Sequence, residues 1–144
     1  MEREPVQIAD QLTGTQPAPI RPAHVLLVSA DDLYAQTLRA WLIRRQWQVT
    51  RAADAREALP TLRASGALVV LVDLQGDVLG GLALLAAAQN LRPPVRAVIS
   101  TPDLTASRLS DAVKRRLGIV GVTIRPCHIE AVGAALEHAR RETV

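Results

Sequence analysis

The sequence predicts an α/β domain whose parallel five-stranded sheet is covered by helices on both faces. Residues 67–72 form an uninterrupted apolar run that contains three valines and ends at the carboxylate of Asp73. A run this short, lying between Gly66 and Gly76, is typical of a strand that is buried on both faces of a parallel sheet. Four further short apolar runs alternate with helical patterns, and this alternation predicts helices between parallel strands.

Two strands and two helices are predicted before the central run. In chain order they lie at 25–28, from 31 or 32 to about 46, at 47–50 and at 55–64. On the first helix the large side chains share one stripe, which is formed by Tyr34, Leu38, Trp41 and Leu42. Asp54 is placed to cap the second helix and Gly66 to end it.

Three helices and two strands are predicted after the central run. In chain order they lie at 82–90, 97–100, 104–117, 121–124 and 128–141. In the helix at 104–117, Leu109, Val113 and Leu117 are expected to face the core, and Gly118 should end the helix. Crossovers between parallel strands are right-handed, and among the doubly wound arrangements we choose the flavodoxin-like (βα)5 sheet with strand order 2-1-3-4-5.

Length and composition limit the possible classes of protein. The 144 residues suffice for one domain, and with only 2% aromatic residues the core must be built from aliphatic side chains. The single cysteine, Cys127, excludes a disulfide framework and suits a reducing cytoplasm. The apolar runs are too short to cross a membrane. The N-terminus lacks a signal-peptide pattern, and a net charge of +3 is too mild to favour nucleic acid.

The chain divides into three parts. Residues 1–23 contain four prolines among polar residues and are predicted to form a flexible leader. Residues 24–141 are the predicted domain, and residues 142–144 a short tail. Since the last predicted helix lies just before Val144, we expect the domain to act without a following output domain.

A series of functional residue types stands at the predicted strand ends in one register. Asp73 ends strand three and Gly81 follows eight positions later, Ser100 ends strand four, and Arg125-Pro126 follows strand five. In this arrangement residues 24–141 resemble the receiver domain of two-component response regulators. That family carries a phospho-accepting Asp, a Gly, a Ser or Thr, and a Lys-Pro pair at these places.

The resemblance implies a mechanism and a role for each of these residues. In the family, the strand-three carboxylate accepts a phosphoryl group from a phosphohistidine or a small phosphodonor. Mg²⁺, held by that Asp and by an acidic pair after strand one, neutralises the developing charge. By resemblance, Asp73 has the phosphoacceptor position, and Ser100 and Arg125 form the phosphoryl pocket.

The sequence departs from the family pattern at the metal-binding positions. Ser29-Ala30 replaces the acidic pair, so Asp31 and Asp32 come two positions late, on the first turn of the helix. Asp31 and Asp77 are weak candidates for further metal ligands beside Asp73. One carboxylate with waters holds Mg²⁺ weakly, because the ion needs six oxygens and dehydrates reluctantly. We therefore expect no cofactor, and Mg²⁺ only if Asp73 is phosphorylated.

Two other family positions also differ. Arg125 stands where the family has Lys, and its guanidinium is larger, planar and able to form two hydrogen bonds at once. We expect a direct, bidentate salt bridge from Arg125 to Asp73 that fixes the pocket in one state without phosphate. Val122 replaces the strand-five aromatic residue that reports phosphorylation in the family.

These departures favour a pseudo-receiver, a degenerate receiver that acts as a protein-interaction module of bacterial-type signalling and not as an enzyme. Its partner would be a kinase, a transcription factor or a scaffold, or a second copy of the chain. Docking is expected on the face of helix four, strand five and helix five. The residues predicted for this face are Arg108, Lys114, Arg115, Arg116 and Val122.

Three alternatives remain open at this point. The basic residues of helix four are also compatible with an ordinary solvated helix face. The domain could be a working phosphoacceptor in a phosphorelay, using Asp73 and Ser100 with an unusual metal site. It could also sense a small anion through Ser29 and Arg125.

Overall fold

The computed structural model of the chain describes residues 22–102 and 108–143, so most of the predicted leader lies outside the described residues. Within these ranges there are five strands and five helices. In chain order they are β1 (His24–Val28), α1 (Asp32–Arg44), β2 (Gln48–Ala52), α2 (Ala55–Ser65), β3 (Val69–Asp73), α3 (Val78–Ala88), β4 (Arg96–Thr101), α4 (Asp111–Leu117), β5 (Ile119–Ile124) and α5 (Ile129–Glu142).

All five strands are parallel and form one sheet in the order β2-β1-β3-β4-β5. This order confirms the predicted doubly wound arrangement. The register brings the polar strand ends side by side, because Asp73 of β3 pairs with Ser100 of β4, which pairs with Thr123 of β5. Arg125 follows β5 directly, and its amide donates a 2.9 Å hydrogen bond to the carbonyl of Thr101.

Helices cover both faces of the sheet and create two apolar clusters. On β3, Val70 and Val72 face the cluster under α2, α3 and α4, whereas Val69 and Leu71 face the cluster under α1 and α5. Side chains alternate between the faces because the strand period is two residues. Since all four side chains are at most 2% exposed, the central strand is buried on both faces, as its apolar run predicts.

Aspartate side chains determine where the first two helices begin. Asp31 accepts a hydrogen bond from the amide of Tyr34, and Asp54 accepts one from the amide of Glu57. Each bond satisfies a backbone donor that has no partner inside the helix. The Asp54 cap and the glycine that ends α2 were predicted, whereas the start of α1 was left open between Asp31 and Asp32 and the structure shows Asp31 as its N-cap.

Two predicted boundaries are corrected at the edges of helices. Helix α3 begins earlier than the predicted residue 82, because the carboxylate of Asp77 accepts a hydrogen bond from the amide of Gly80 and caps the helix there. Helix α5 continues to Glu142, so the predicted tail contributes its first residue to the last helix.

The helix predicted over residues 104–117 is not continuous, because residues 108–110 are not helical. Among the described residues, α4 begins at Asp111 because the hydroxyl of Ser110 accepts a hydrogen bond from the amide of Val113. Residues 103–107 lie outside the described part of the chain. Val113 was predicted to face the core but is 36% exposed, since it lies in the first turn of a shorter helix. None of the helices in the described ranges is long and apolar enough to span a membrane.

Two glycines with the same backbone conformation end α2 and α4. Gly66 and Gly118 both have φ of 70°, in the left-handed region that glycine adopts without a steric penalty. A Cβ at Gly66 would lie in open space, whereas one at Gly118 would collide with the side chain of Gln89 and lie 2.9 Å from the carbonyl oxygen of Val95. Substitution of these two glycines therefore distinguishes the cost of backbone strain from the cost of steric crowding.

We expect Gly66→Ala to lower the free energy of unfolding by about 1–2 kcal/mol, the cost of a left-handed residue with a Cβ. Gly118→Ala should cost about 1–3 kcal/mol more, because the added methyl also crowds a packed site. Urea denaturation of both variants measures the difference. Equal losses at the two positions would contradict the packing around Gly118.

Candidate functional site

The carboxyl edge of the sheet gathers polar residues from several strand ends. Ser29 follows β1, Asp73 ends β3, Ser100 lies near the end of β4, and Arg125 follows β5. Parallel strands place all of these ends at the same edge, where ligands gather in open α/β sheets. The structure thus brings together the three residues that the sequence assigned to the phosphoacceptor position and the phosphoryl pocket.

The guanidinium of Arg125 forms the centre of this site. Its Nη1 donates to Oδ2 of Asp73 and to Oε1 of Gln75, both at 2.9 Å, and its Nη2 donates to Oδ2 of Asp31 at 3.0 Å. The expected ion pair with Asp73 is therefore present. It is not bidentate as predicted, because the two arms of the guanidinium bind two different carboxylates.

The carboxylate of Asp73 is buried under this guanidinium. Its side chain is only 3% exposed. Oδ2 accepts a 2.9 Å hydrogen bond from the hydroxyl of Ser29 in addition to the one from Arg125. Oδ1 accepts a 3.1 Å hydrogen bond from the amide of Gln75. Both oxygens of Asp73 are therefore engaged by donors of the protein itself.

Tyr34 links the guanidinium to the buried end of β4. The centre of its ring lies 4.1 Å below the guanidinium carbon of Arg125, which is a cation–π contact. Its hydroxyl donates to the hydroxyl of Ser100 at 3.2 Å, and Ser100 is fully buried. Burial is the main cause that raises the pKa of Tyr34 above its ordinary value of 10.0.

The sequence placed Tyr34 only in an apolar stripe of the first helix and missed its polar role. One signal was available, because Tyr34 lies three residues after the capping Asp31 and so occupies the first turn that faces the strand ends. The hydrogen bond to Ser100 depends on the packing of α1 against the sheet, which no local pattern shows.

The acidic residues near the pocket bind different partners. Asp31 caps α1 through Oδ1 and binds Arg125 through Oδ2. The amide of Tyr34 and, after it, Arg125 lower the pKa of this carboxyl. Asp32 points away from the pocket to Arg51, at 2.8 Å. Asp77, the other weak metal candidate, accepts a hydrogen bond from the α3 backbone.

The donor set does not fit a divalent ion in this arrangement. Of the weak candidates only Asp31 lies beside Asp73, and Arg125 occupies the space between their carboxylates. In the described ranges, no three His, Cys, Asp or Glu side chains are placed together to hold a metal. A cavity of about 260 Å³ remains next to the guanidinium, lined by Ala30, Asp31, Asp73 and Gln75.

The residues of the predicted partner face differ in their exposure to solvent. Arg108, Arg115 and Arg116 are exposed, whereas Lys114 and Val122 are half-buried. Val122 packs partly against the cluster under α2, α3 and α4, and its place on the partner face stays a prediction. Two apolar residues of the same elements are also exposed, Val113 in α4 at 36% and Ile124 at the end of β5 at 40%.

Sequence comparison and structural comparison give different results for this chain. Neither a protein-family model nor a curated protein matches its sequence. Its structure resembles that of a CheY-like response regulator receiver domain protein from Methanospirillum hungatei JF-1, with a TM-score of 0.73 and 20% identity over 85% of this chain and 97% of that one. The structure also resembles that of the chemotaxis response regulator CheY4 of Vibrio cholerae. The TM-score is 0.71, with 21% sequence identity over 83% of this chain and 99% of that one.

This chain has the receiver-domain fold. A third neighbour is a response regulator protein from Burkholderia pseudomallei, with a TM-score of 0.65 and 27% identity over 83% of this chain and 69% of that one. That structure contains a phosphorylated aspartic acid, a calcium ion and citrate. The fold inferred from the residues at the strand ends is thus confirmed, and the roles of Asp73, Ser100 and Arg125 within it stay predictions.

The titration of Tyr34 tests the burial and contacts of its phenol, since it is the one tyrosine of the chain. Absorbance at the tyrosinate wavelength should rise at higher pH in the folded protein than in the urea-unfolded chain, because burial raises the pKa of the phenol. Between the unfolded and the folded pKa, the unfolded chain loses its proton first. Stability should therefore fall as the pH rises through this window.

A folded-state titration at or below that of the unfolded chain would contradict the buried position of Tyr34. The variant Tyr34→Phe serves as the control, since its absorbance should not change in this range and it should lack the corresponding loss of stability at high pH.

Proposed function

We propose that the protein is a receiver-fold interaction module of bacterial-type two-component signalling, which acts in the cytoplasm and binds a protein partner without phosphorylation of Asp73. The observation that supports this proposal is the burial of Asp73, whose side chain is 3% exposed beneath the guanidinium of Arg125. A carboxylate in this position serves as the structural partner of an arginine and is poorly placed as a nucleophile.

The charges around the pocket support the same proposal. For Asp73 to react, Arg125 would have to leave and so expose two neighbouring carboxylates without their counter-ion. Removing one partner of a buried ion pair is strongly destabilising. The hydroxyl of Ser100, which would contact the phosphoryl group in the family, accepts a hydrogen bond from Tyr34 instead.

The partner surface that we propose comprises α4, β5 and the exposed residues next to them. Arg115 and Arg116 are exposed and form no ion pair with any residue in the described part of the chain, so both guanidinium groups are available to an acidic partner. Val113 of α4 and Ile124 of β5 are exposed apolar residues on the same two elements. Protein interfaces commonly combine apolar residues with arginine. We propose an acidic surface of a kinase, a transcription factor or a scaffold as the partner.

Intact-mass measurement after incubation with Mg²⁺ and a small phosphodonor tests the role of Asp73. Loss of one preorganised charge stabiliser typically slows a reaction by about 10²–10³-fold. We therefore expect no added phosphoryl group in the time that labels a receiver domain with an intact acidic pair. Asp73→Asn is the matched variant, and it should behave like the wild type in this assay and in partner binding.

The alternative function is that of a phosphoacceptor. It is favoured by the register that places Asp73 beside Ser100, and by the phosphorylated aspartic acid in the Burkholderia neighbour. One added phosphoryl group on the wild type, absent in Asp73→Asn, would establish this alternative and overturn the proposal.

Charge reversal tests the proposed surface. We expect Arg115→Glu/Arg116→Glu to weaken partner capture by about tenfold or more, which corresponds to ~1.4 kcal/mol, because like charges then meet across the interface. The control is Arg56→Glu/Arg63→Glu, which makes the same charge change at two exposed positions on α2. Affinity capture from cells that make the protein, followed by quantitative mass spectrometry, compares the two. An equal loss in both variants, or none in the first, would rule out α4 as the docking surface.

A further inference from the structure

The guanidinium of Arg125 lies between two acidic side chains, in the position where a bound metal ion would lie. Its two terminal nitrogens lie 2.9 Å from Oδ2 of Asp73 and 3.0 Å from Oδ2 of Asp31. The same Nη1 also reaches Oε1 of Gln75 at 2.9 Å. A single positive group thus binds three oxygens that come from the N-cap of α1, from the end of β3 and from the loop that follows β3.

We infer that the guanidinium of Arg125 replaces a divalent cation in this pocket and excludes Mg²⁺ from it. This inference goes beyond the proposed function, because it concerns the ion that the pocket accepts and holds for any docking partner. Receiver folds are expected to bind Mg²⁺ at this edge of the sheet. The side chains of this chain disagree with that expectation.

The occupied oxygens are the first reason for the exclusion. Mg²⁺ requires near-octahedral oxygen ligands at short distance and gives up its waters reluctantly. Oδ2 of Asp73 already accepts two hydrogen bonds, and Oδ1 accepts one from the Gln75 amide. Oδ1 of Asp31 is used to cap α1, and its Oδ2 is bound by Arg125. A metal would have to break several of these bonds before it gained a ligand.

Electrostatic repulsion is the second reason. The guanidinium stays protonated at every pH at which the protein is folded. It already balances part of the negative charge that would attract a cation. A divalent ion between the same two carboxylates would lie within a few ångströms of this fixed positive charge, where repulsion is weakly screened.

The aromatic ring of Tyr34 also fixes the position of the guanidinium, in addition to the oxygens that bind it. The ring of Tyr34 stacks against it at 4.1 Å, and the hydroxyl of that ring is held by the buried Ser100. The Arg125 side chain is only 19% exposed. It therefore cannot move into solvent without losing two ion pairs, the Gln75 contact and the aromatic contact together.

Removal of the guanidinium should allow the pocket to bind a divalent cation. Arg125→Ala leaves two carboxylates, the amide oxygen of Gln75 and the hydroxyl of Ser29 around the vacated volume. These are oxygen ligands of the kind that Mg²⁺ and Mn²⁺ accept. The variant should therefore gain a divalent-cation site that the wild type lacks.

Calorimetric titration with MgCl₂ and with MnCl₂ tests this inference. We expect no saturable uptake by the wild type, and uptake by Arg125→Ala that is at least about tenfold tighter than any residual binding by the wild type. Arg51→Ala is the matched control. Arg51 also pairs with an aspartate in the first turn of α1, and its other hydrogen bonds go to the backbone carbonyl of Ser29, so its guanidinium does not take up the oxygens of Asp31 and Asp73 that Arg125 binds. The Arg51→Ala variant should bind neither Mg²⁺ nor Mn²⁺.

Thermal melting gives a second readout, because Arg125→Ala leaves a buried carboxylate without its partner and is expected to melt at a lower temperature. Divalent ions should raise the melting temperature of this variant and leave those of the wild type and Arg51→Ala unchanged. The rise should disappear in Arg125→Ala/Asp73→Asn.

Saturable Mg²⁺ uptake by the wild type would overturn the inference, and so would an Arg125→Ala protein whose heat of binding and melting temperature do not respond to either ion. Neither result depends on partner capture or on the phosphodonor assay. A failure of this inference is therefore distinguishable from a failure of the proposed function.

Discussion

The contact of one guanidinium with two carboxylates organises the carboxyl edge of this domain. Arg125 is separated from Asp73 by 52 positions and from Asp31 by 94, yet its terminal nitrogens bind both at hydrogen-bond distance. Because the Asp73 side chain is nearly buried, its charge needs a partner inside the fold. Arg125 provides that partner, and its own position is set by the aromatic ring of Tyr34. The acidic residues, the hydroxyls and the aromatic ring of the pocket therefore form a single connected unit.

This unit depends on the two-sided apolar core beneath it. A one-residue shift of β3 would turn Val70 and Val72 from one cluster to the other, so packing on both faces strongly specifies the register. The same register places Asp73 beside Ser100 and brings the residue after β5 within reach of both. In this way non-directional burial of aliphatic side chains determines the distances between a small number of polar groups at the carboxyl edge of the sheet.

Most of the fold was predictable because local signals and the global arrangement agree. The Asp54 cap and the glycines that end α2 and α4 follow from short patterns, and the strand order follows from the choice of a flavodoxin-like arrangement for five alternating strands and helices. The single long helix predicted over 104–117 is interrupted at residues 108–110, where the local signal and the apolar spacing disagree. Apolar spacing suggested one long helix, but the hydroxyl of Ser110 caps a helix that begins at Asp111, and Val113 is left exposed in the first turn. Capping overrides weak periodicity where few apolar side chains can be buried.

The sequence alone determined the order of strands and helices, the burial of the central strand and the identity of the residues at the strand ends, because periodicity and capping act over a few residues. It also indicated that Arg125 would pair with Asp73. Only the tertiary structure decided that the two arms of Arg125 bind separate carboxylates and that Tyr34 reaches Ser100. Those contacts join residues from 52 to 94 positions apart. They depend on how α1 packs on the sheet and on the side-chain rotamers chosen there, neither of which is encoded in a local pattern.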